Sequence, residues 1–166
     1  MKKIYLGAML LFITAISSAQ ASLQSGNNQL NVGVGLTNWG VPIYLGFDFG
    51  LSRDISLGLE LSYRSYNENY HEVHYNHNII GFSGNANYHF NRVLSIPNRF
   101  DLYAGLNLGF YVWNSPNSYA GNNSSGLNLG AQVGGRYFIT SKVGLNLEFG
   151  GGNAFSGGKF GLTFKL

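Results

Sequence analysis

From Leu30 to the last residue, apolar side chains return at every second position in runs of roughly ten residues, separated by polar or turn-forming stretches. This period-two pattern predicts strands, because successive side chains of a strand point to opposite faces. In the first run Leu30, Val32, Val34 and Leu36 alternate with Asn31, Gly33, Gly35 and Thr37, and in the second Ile43, Leu45, Phe47 and Phe49 alternate with Tyr44, Gly46, Asp48 and Gly50. The third sets Ile55, Leu57, Leu59, Leu61 and Tyr63 against Ser56, Gly58, Glu60, Ser62 and Arg64. A less hydrophobic fourth, near 78–90, sets Ile80, Phe82, Ala86, Tyr88 and Phe90 against Gly81, Ser83, Asn85, Asn87 and His89. The fifth opposes Leu102, Ala104, Leu106, Leu108, Phe110 and Val112 to Asp101, Tyr103, Gly105, Asn107, Gly109 and Tyr111. Leu127, Leu129, Ala131, Val133 and Tyr137 face away from Asn128, Gly130, Gln132, Gly134 and Arg136 in the sixth; Val143, Leu145, Leu147 and Phe149 from Gly144, Asn146, Glu148 and Gly150 in the seventh. The eighth closes the chain with Phe160, Leu162, Phe164 and Leu166 opposite Lys159, Gly161, Thr163 and Lys165. An even count permits antiparallel closure, so the expected fold is all-β: a closed, antiparallel, up-and-down barrel of eight strands.

Alternation alone does not say which face is outside, since a soluble ligand-binding barrel has the same period with its apolar face inward. Composition decides it. Only 10% of the residues are charged, 15% are aromatic and 24 are glycine, whereas a water-facing surface normally carries about 25–35% charged residues. The polar face is mostly Gly, Asn and Ser, a poor coat for water but a good filling for a narrow lumen. No Asp, Glu, Lys or Arg falls on the apolar face of the eight runs. A basic residue facing mid-bilayer costs about 2–4 kcal/mol, so a lipid-facing wall selects this segregation. Closure also satisfies every backbone group in lipid. The expected barrel is therefore transmembrane.

The connections differ in character. Short ones at Ser52–Asp54 and Thr140–Lys142 alternate with longer polar ones at Ser65–His77 and Asn114–Ser125, and Asn91–Arg99 is a longer exception among the short set. Trp39, Tyr66, Tyr70, Trp113, Tyr119 and Phe155 fall near one rim, with Phe90, Phe100, Tyr137 and Phe138 near the other, which predicts two interfacial aromatic belts. One internal repeat is present. Gly46–Ser62 aligns without gaps onto Gly134–Gly150, placing Asp48 on Arg136 and Glu60 on Glu148. Duplication of a hairpin, or two hairpins obeying one physical template, accounts for it equally.

At the N-terminus Lys2 and Lys3 precede an apolar run from Ile4 to Ile16, followed by small and polar residues through Ala21. That order predicts a secretory signal peptide over residues 1–21, cleaved after Ala19 or Ala21, with residues 22–166 forming the single barrel domain. The apolar run is shorter than the ~20 residues a spanning helix needs. Without cysteine, an exported chain cannot be a disulfide-stapled scaffold. The formal charge of +3 counts Lys2 and Lys3; their removal leaves eight Lys and Arg against seven Asp and Glu, a net +1. These basic residues are scattered singly, which sets a nucleic-acid partner aside.

The closing segment KFGLTFKL has the order polar, any, glycine, any, any, aromatic, any, hydrophobic, carried by Lys159, Gly161, Phe164 and Leu166. It resembles the C-terminal signal by which outer-membrane β-barrels are recognised for insertion, with Leu166 in place of the commoner terminal aromatic. With this motif, the leader and the eight strands, the mature chain resembles small eight-stranded outer-membrane barrels of the OmpX and OmpA transmembrane type. The resemblance implies a monomer in the outer membrane of a Gram-negative-type envelope, in contact with lipid and lipopolysaccharide and inserted by the barrel-assembly machinery. Members of that family stabilise the envelope, adhere to surfaces or evade host defences. The sequence names no extracellular ligand.

Asp48, Glu60, Arg64, Asp101, Arg136 and Glu148 all fall on the inward face, where low dielectric favours pairing. They predict a luminal network that either plugs the barrel or gates a narrow channel. His71, His74 and His77 with Glu72 are the most metal-like group, but their spacing of three is not that of a helical zinc motif, and alternate histidines of a strand face opposite ways. No metal or cofactor is expected. Two lipid A-modifying barrel enzymes are the catalytic comparisons. The deacylase's His-x-Ser pair is replaced here by His74, Tyr75, Asn76 and His89, Phe90, Asn91, and the outward loops lack the aspartate of the palmitoyltransferase. GGGNAFSGGK is not a phosphate loop, since Asn153 and Phe160 stand where Gly and Ser or Thr belong. A secreted amyloid subunit is disfavoured by unequal connections. The expectation is a non-catalytic barrel with an envelope-structural or surface-interaction role through its outward loops, the alternatives being a narrow channel and, remotely, a lipid A-modifying enzyme.

Overall fold

The alternating runs form eight strands: β1 (Asn28–Thr37), β2 (Ile43–Gly50), β3 (Ile55–Tyr70), β4 (Val73–His89), β5 (Phe100–Asn114), β6 (Gly126–Phe138), β7 (Val143–Gly152) and β8 (Gly157–Lys165). The computed structural model describes residues 23, 25–70, 73–116, 119, 124–152 and 156–166; the expected leader lies outside them. Each strand pairs antiparallel with the next and β8 closes on β1, giving one closed barrel. Apolar residues cover the outside, as at Leu36, 71% exposed, and Leu106, 64% exposed, while Gln29, Ser56, His89, Asp101 and Thr163 inside are wholly buried. The molecule is inverted relative to a soluble barrel, with its polar core inside and its apolar face outside.

The β1–β8 seam explains one residue of the closing motif. Gly33 and Gly161 are direct partners across it. A Cβ on Gly161 would lie 2.2 Å from the Val32 carbonyl oxygen and 2.6 Å from the Tyr44 hydroxyl, so only glycine lets the walls meet here. Gly161→Val is expected to abolish closure. The measurement is the heat-dependent gel shift of refolded protein, and a normal folded band would refute this role.

At the end where β1 begins and β8 finishes, β2–β3 and β6–β7 are joined by tight turns at 51–54 and 139–142. The exceptional 90–99 connection is folded on itself, with the Leu94 amide donating to Phe90 O and the Ile96 amide to Asn91 O, both at 2.9 Å. Arg92 ties it to the neighbouring turn, its Nε donating to Asp54 Oδ2 at 2.9 Å while Nη2 bonds the same oxygen. That hydrogen bond, helped by the guanidinium charge, holds the Asp54 carboxyl below the ordinary carboxylate value. Folded-state depression means the tie is fully present above the unfolded carboxylate pKa and lost as pH falls through the lower folded value. Proteolytic nicking within 90–99 is expected to rise only below that ordinary value; nicking that is flat down to strongly acidic pH would remove the tie as its cause.

At the other end the structure corrects the sequence expectation. Ser65–His77 is a ladder rather than a polar loop: Ser65 pairs Asn78, and pairing continues to Tyr70 and Val73. Ladder bonds need only backbone, and polar pairs such as Ser65 Oγ donating to Asn76 Oδ1 at 2.7 Å support them without an apolar face. The hairpin therefore projects beyond the apolar wall.

Candidate functional site

Period two sends every odd residue of β5 and β1, and every even residue of β2, β3, β6 and β7, into one narrow lumen. Eight strands enclose little more than room for side chains. What fills that room decides what the barrel can do.

Nearest the short turns, Arg136 of β6 spans the lumen. Its Nη1 donates to Asp101 Oδ2 on the adjacent β5 and its Nη2 to Asp48 Oδ2 on β2, both at 2.9 Å. Asp101 and Arg136 are register partners; Asp48 lies on the opposite wall. The same Asp48 oxygen accepts from Gln29 Nε2 and Asn31 Nδ2, each at 2.9 Å. All three charged groups are buried, and each charge here has a partner, which burial requires. Arg136 also lies 4.2 Å from the centre of the Tyr103 ring, adding a cation–π contact.

One level up, Lys159 Nζ sits between Glu60 Oε2 and Glu148 Oε1, 2.7 Å from each. Glu148 is its partner on β7 and Glu60 is across the lumen on β3. Tyr103 Oη donates to Glu148 at 2.9 Å and so links the two layers. Beside them runs an amide chain: Asn128 donates to Asn107, Asn107 to Gln132, and Gln132 to Asn87, at 3.0, 3.1 and 2.7 Å. The Lys159 layer separates two small spaces. The upper cavity is about 70 Å³ and the lower about 20 Å³, and both are lined by Tyr44, Glu60, Glu148 and Lys159. The upper has room for a few waters, the lower for about one.

Of the six inward charges identified from sequence, five join these two layers. Arg64 lies nearer the long-loop end, where its Nη1 donates to Thr37 Oγ1 at 2.9 Å. Sequence reasoning missed Lys159 as a luminal group, having read it only as part of the closing motif, although its place beside Gly161 and Thr163 on the inward face was visible.

It also missed a second arrangement. Ser56 Oγ is 2.9 Å from His89 Nε2, and His89 Nδ1 is 2.7 Å from Asp101 Oδ1. This is the connectivity of a hydrolase triad. All three residues are wholly buried, and none lines either luminal cavity. A reacting carbonyl needs space beside the nucleophile, and neither luminal cavity reaches Ser56. The relay instead bolts β3, β4 and β5 together beneath Arg136.

The aromatic belts need revision at both rims. Trp39, on the tight Thr37–Gly40 turn where Gly40 takes φ 90°, stacks edge-on with Tyr111 at 5.2 Å and Trp113 at 5.0 Å. Those residues belong to β5, four strands from β1, so the contact crosses the mouth. Tyr66 and His77 pack on Trp113 at 5.9 and 5.5 Å, and Tyr119 on His77 at 4.6 Å. The expected belt is a cap over the lumen, because strand parity turns Tyr66 and Trp113 inward. The Tyr70 side chain and Phe155 lie outside the described residues. At the short-turn rim Phe100 pairs with Tyr137 at 5.0 Å and Phe90 with Tyr88 at 5.2 Å. Phe138 shares Arg136's face and is wholly buried, with Lys165 Nζ 4.1 Å from its ring centre.

His71 and Glu72 lie outside the described residues. His74 is exposed, whereas His77 is buried with Nδ1 2.9 Å from Ser115 Oγ. Among the described residues no group of three His, Cys, Asp or Glu could hold a metal.

Comparison with known proteins agrees with the architecture. The family model of the outer membrane protein beta-barrel domain matches residues 6–164. Among solved structures, the chain is similar to the outer membrane protein OprG from Pseudomonas aeruginosa, at 10% identity over 89% of this chain and 98% of that one, TM-score 0.65. It is also similar to the N-terminal β-barrel domain of OprF from the same organism, at 15% identity over 86% and 98%, TM-score 0.58. Neisserial surface protein A matches at 13% identity over 84% and 95%, TM-score 0.58. At such identities the likeness is one of fold. No curated protein sequence matches the chain.

Proposed function

The chain belongs to the outer membrane protein beta-barrel family, and from that premise we propose that it is a sealed, non-catalytic barrel of the outer membrane, anchoring its outward hairpin and loops for an envelope-structural or surface-interaction role. The observation that carries this reading is the pair of ionic layers across the lumen, Arg136 between Asp48 and Asp101 and Lys159 between Glu60 and Glu148, with the aromatic cluster around Trp113 at the mouth above them. The spaces on either side of the Lys159 layer are about 70 and 20 Å³, room for a few waters and about one.

The same reading takes residues 1–19 or 1–21 as a leader removed on export, the mature barrel as a monomer bathed in lipid and lipopolysaccharide, and Lys159, Gly161, Phe164 and Leu166 as the segment the assembly machinery engages. The short-turn end then faces the periplasm and the β3–β4 hairpin the outside. Single-channel recording of refolded mature protein tests the seal. Silence from demonstrably folded barrels is expected, and discrete, reproducible openings would replace this reading with a narrow channel.

A further inference from the structure

The two ionic layers obey one rule: a cation sits between two carboxylates, Arg136 between Asp48 and Asp101 and Lys159 between Glu60 and Glu148. The mouth at the short-turn end breaks it. The Arg99 carbonyl accepts from the Phe138 amide and the Lys142 carbonyl from the Lys165 amide, both at 2.8 Å. These bonds extend the β5–β6 and β7–β8 registers by one step, so Arg99 stands opposite Phe138 and Lys142 opposite Lys165. Strand parity places all three basic residues in the lumen-facing set. Two lysines directly opposite on a ladder, with Cβ atoms about 4.5–5.5 Å apart, repel each other. Lys165 reaches over the Phe138 ring, its Nζ 4.1 Å from the centre, and Phe138, wholly buried, floors the space. Lys142 is exposed and Arg99 and Lys165 half-buried, so solvent reaches all three. None has an ion-pair partner among the described residues. The 51–54, 90–99 and 139–142 connections carry one side-chain carboxylate, Asp54, which Arg92 holds. Asp101, above, is taken by Arg136 and His89.

We propose that Arg99, Lys142 and Lys165 form an anion site at this mouth, and that its ligand is a phosphate dianion, either inorganic or the monoester head group of a lipid. The anion supplies the negative charge this layer lacks and relieves the repulsion between Lys142 and Lys165. Three cations favour a phosphate, with about 1.5–2 negative charges at neutral pH, over a carboxylate with one. The Arg99 guanidinium matches two phosphate oxygens at once, while each lysine acts as a point charge. Phe138 keeps water from the inner side, which strengthens each contact. Binding here needs no path through the lumen.

The test is equilibrium dialysis of radiolabelled inorganic phosphate against the refolded barrel in uncharged maltoside micelles, at constant ionic strength set with sodium chloride. Saturable binding of one phosphate per barrel is expected, at least tenfold weaker in Lys142→Gln with Lys165→Gln. Arg99→Gln should weaken it as well; Arg99 lies outside the strands, so this variant carries the test if the double lysine variant fails to fold. Repeating the dialysis in phosphatidylcholine nanodiscs with and without phosphatidic acid separates the two sources. Loss of phosphate binding when phosphatidic acid is present assigns the site to a lipid head group, and retention assigns it to the free anion. The absence of saturable binding, binding unchanged in the folded variants, or displacement of phosphate by equimolar succinate would each overturn the proposal.

Discussion

Replacing Arg136 with Met is expected to lower the free energy of folding into lipid vesicles by about 3–5 kcal/mol. The substitution keeps most of the side-chain volume, so the loss is electrostatic. Asp48 and Asp101 would face each other across a closed lumen, both buried. Compensation is partial: Asp48 keeps the amides of Gln29 and Asn31, and Asp101 keeps His89. Removing one partner of a buried pair is costly because an uncompensated charge remains, whereas removing the charges together is often nearly neutral. Adding Asp48→Asn to Arg136→Met should therefore recover part of the loss. Equilibrium urea titrations of the wild type, both single variants and the double variant give the coupling directly. A cost under about 1 kcal/mol, the range of exposed pairs, would mean that water reaches this layer and that it is no seal.

Much of this was legible beforehand because a barrel strand has one dominant rule. Parity assigned Asp48, Glu60, Asp101, Arg136 and Glu148 to the lumen without any tertiary information. What parity cannot give is who meets whom across the lumen, since that depends on stagger around the whole barrel. Yet one clue was present. The repeat relating Gly46–Ser62 to Gly134–Gly150 has an offset of 88 residues, and Asp48 and Arg136, separated by that offset, bond directly. Glu60 and Glu148, related by the same offset, share Lys159. The repeated hairpins β2–β3 and β6–β7 stand four strands apart, which in a closed sheet of eight is diametrically opposite. Repeat-equivalent positions are thereby brought face to face. The hairpin ladder beyond Ser65 and the inward turn of Trp113 were hidden for a different reason: outside the apolar wall, strand pairing continues without the hydrophobic alternation that announces it.

The two ionic layers make a sharper claim about sealing than either alone. Lys159→Ala merges the spaces above and below the Glu60 and Glu148 carboxylates, but Arg136 still closes the lumen beneath. Arg136→Ala opens the lower layer and leaves Lys159 as a lid. Each single variant is expected to stay electrically silent in a planar bilayer, and the double variant Lys159→Ala with Arg136→Ala to conduct. The aromatic cap does not prevent this, because Trp39 and Tyr119 sit on connections between strands, whose motions occur in nanoseconds to microseconds. Ion selectivity supplies an independent check. With both cations gone, the lumen keeps, among the described residues, four carboxylates, Asp48, Glu60, Asp101 and Glu148, against Arg64 and Lys165, so the openings should prefer cations. Conduction in Lys159→Ala alone would assign the whole seal to the upper layer. Silence of the folded double variant would shift it to the His89 relay and Phe138 at the short-turn end, whose side chains are wholly buried.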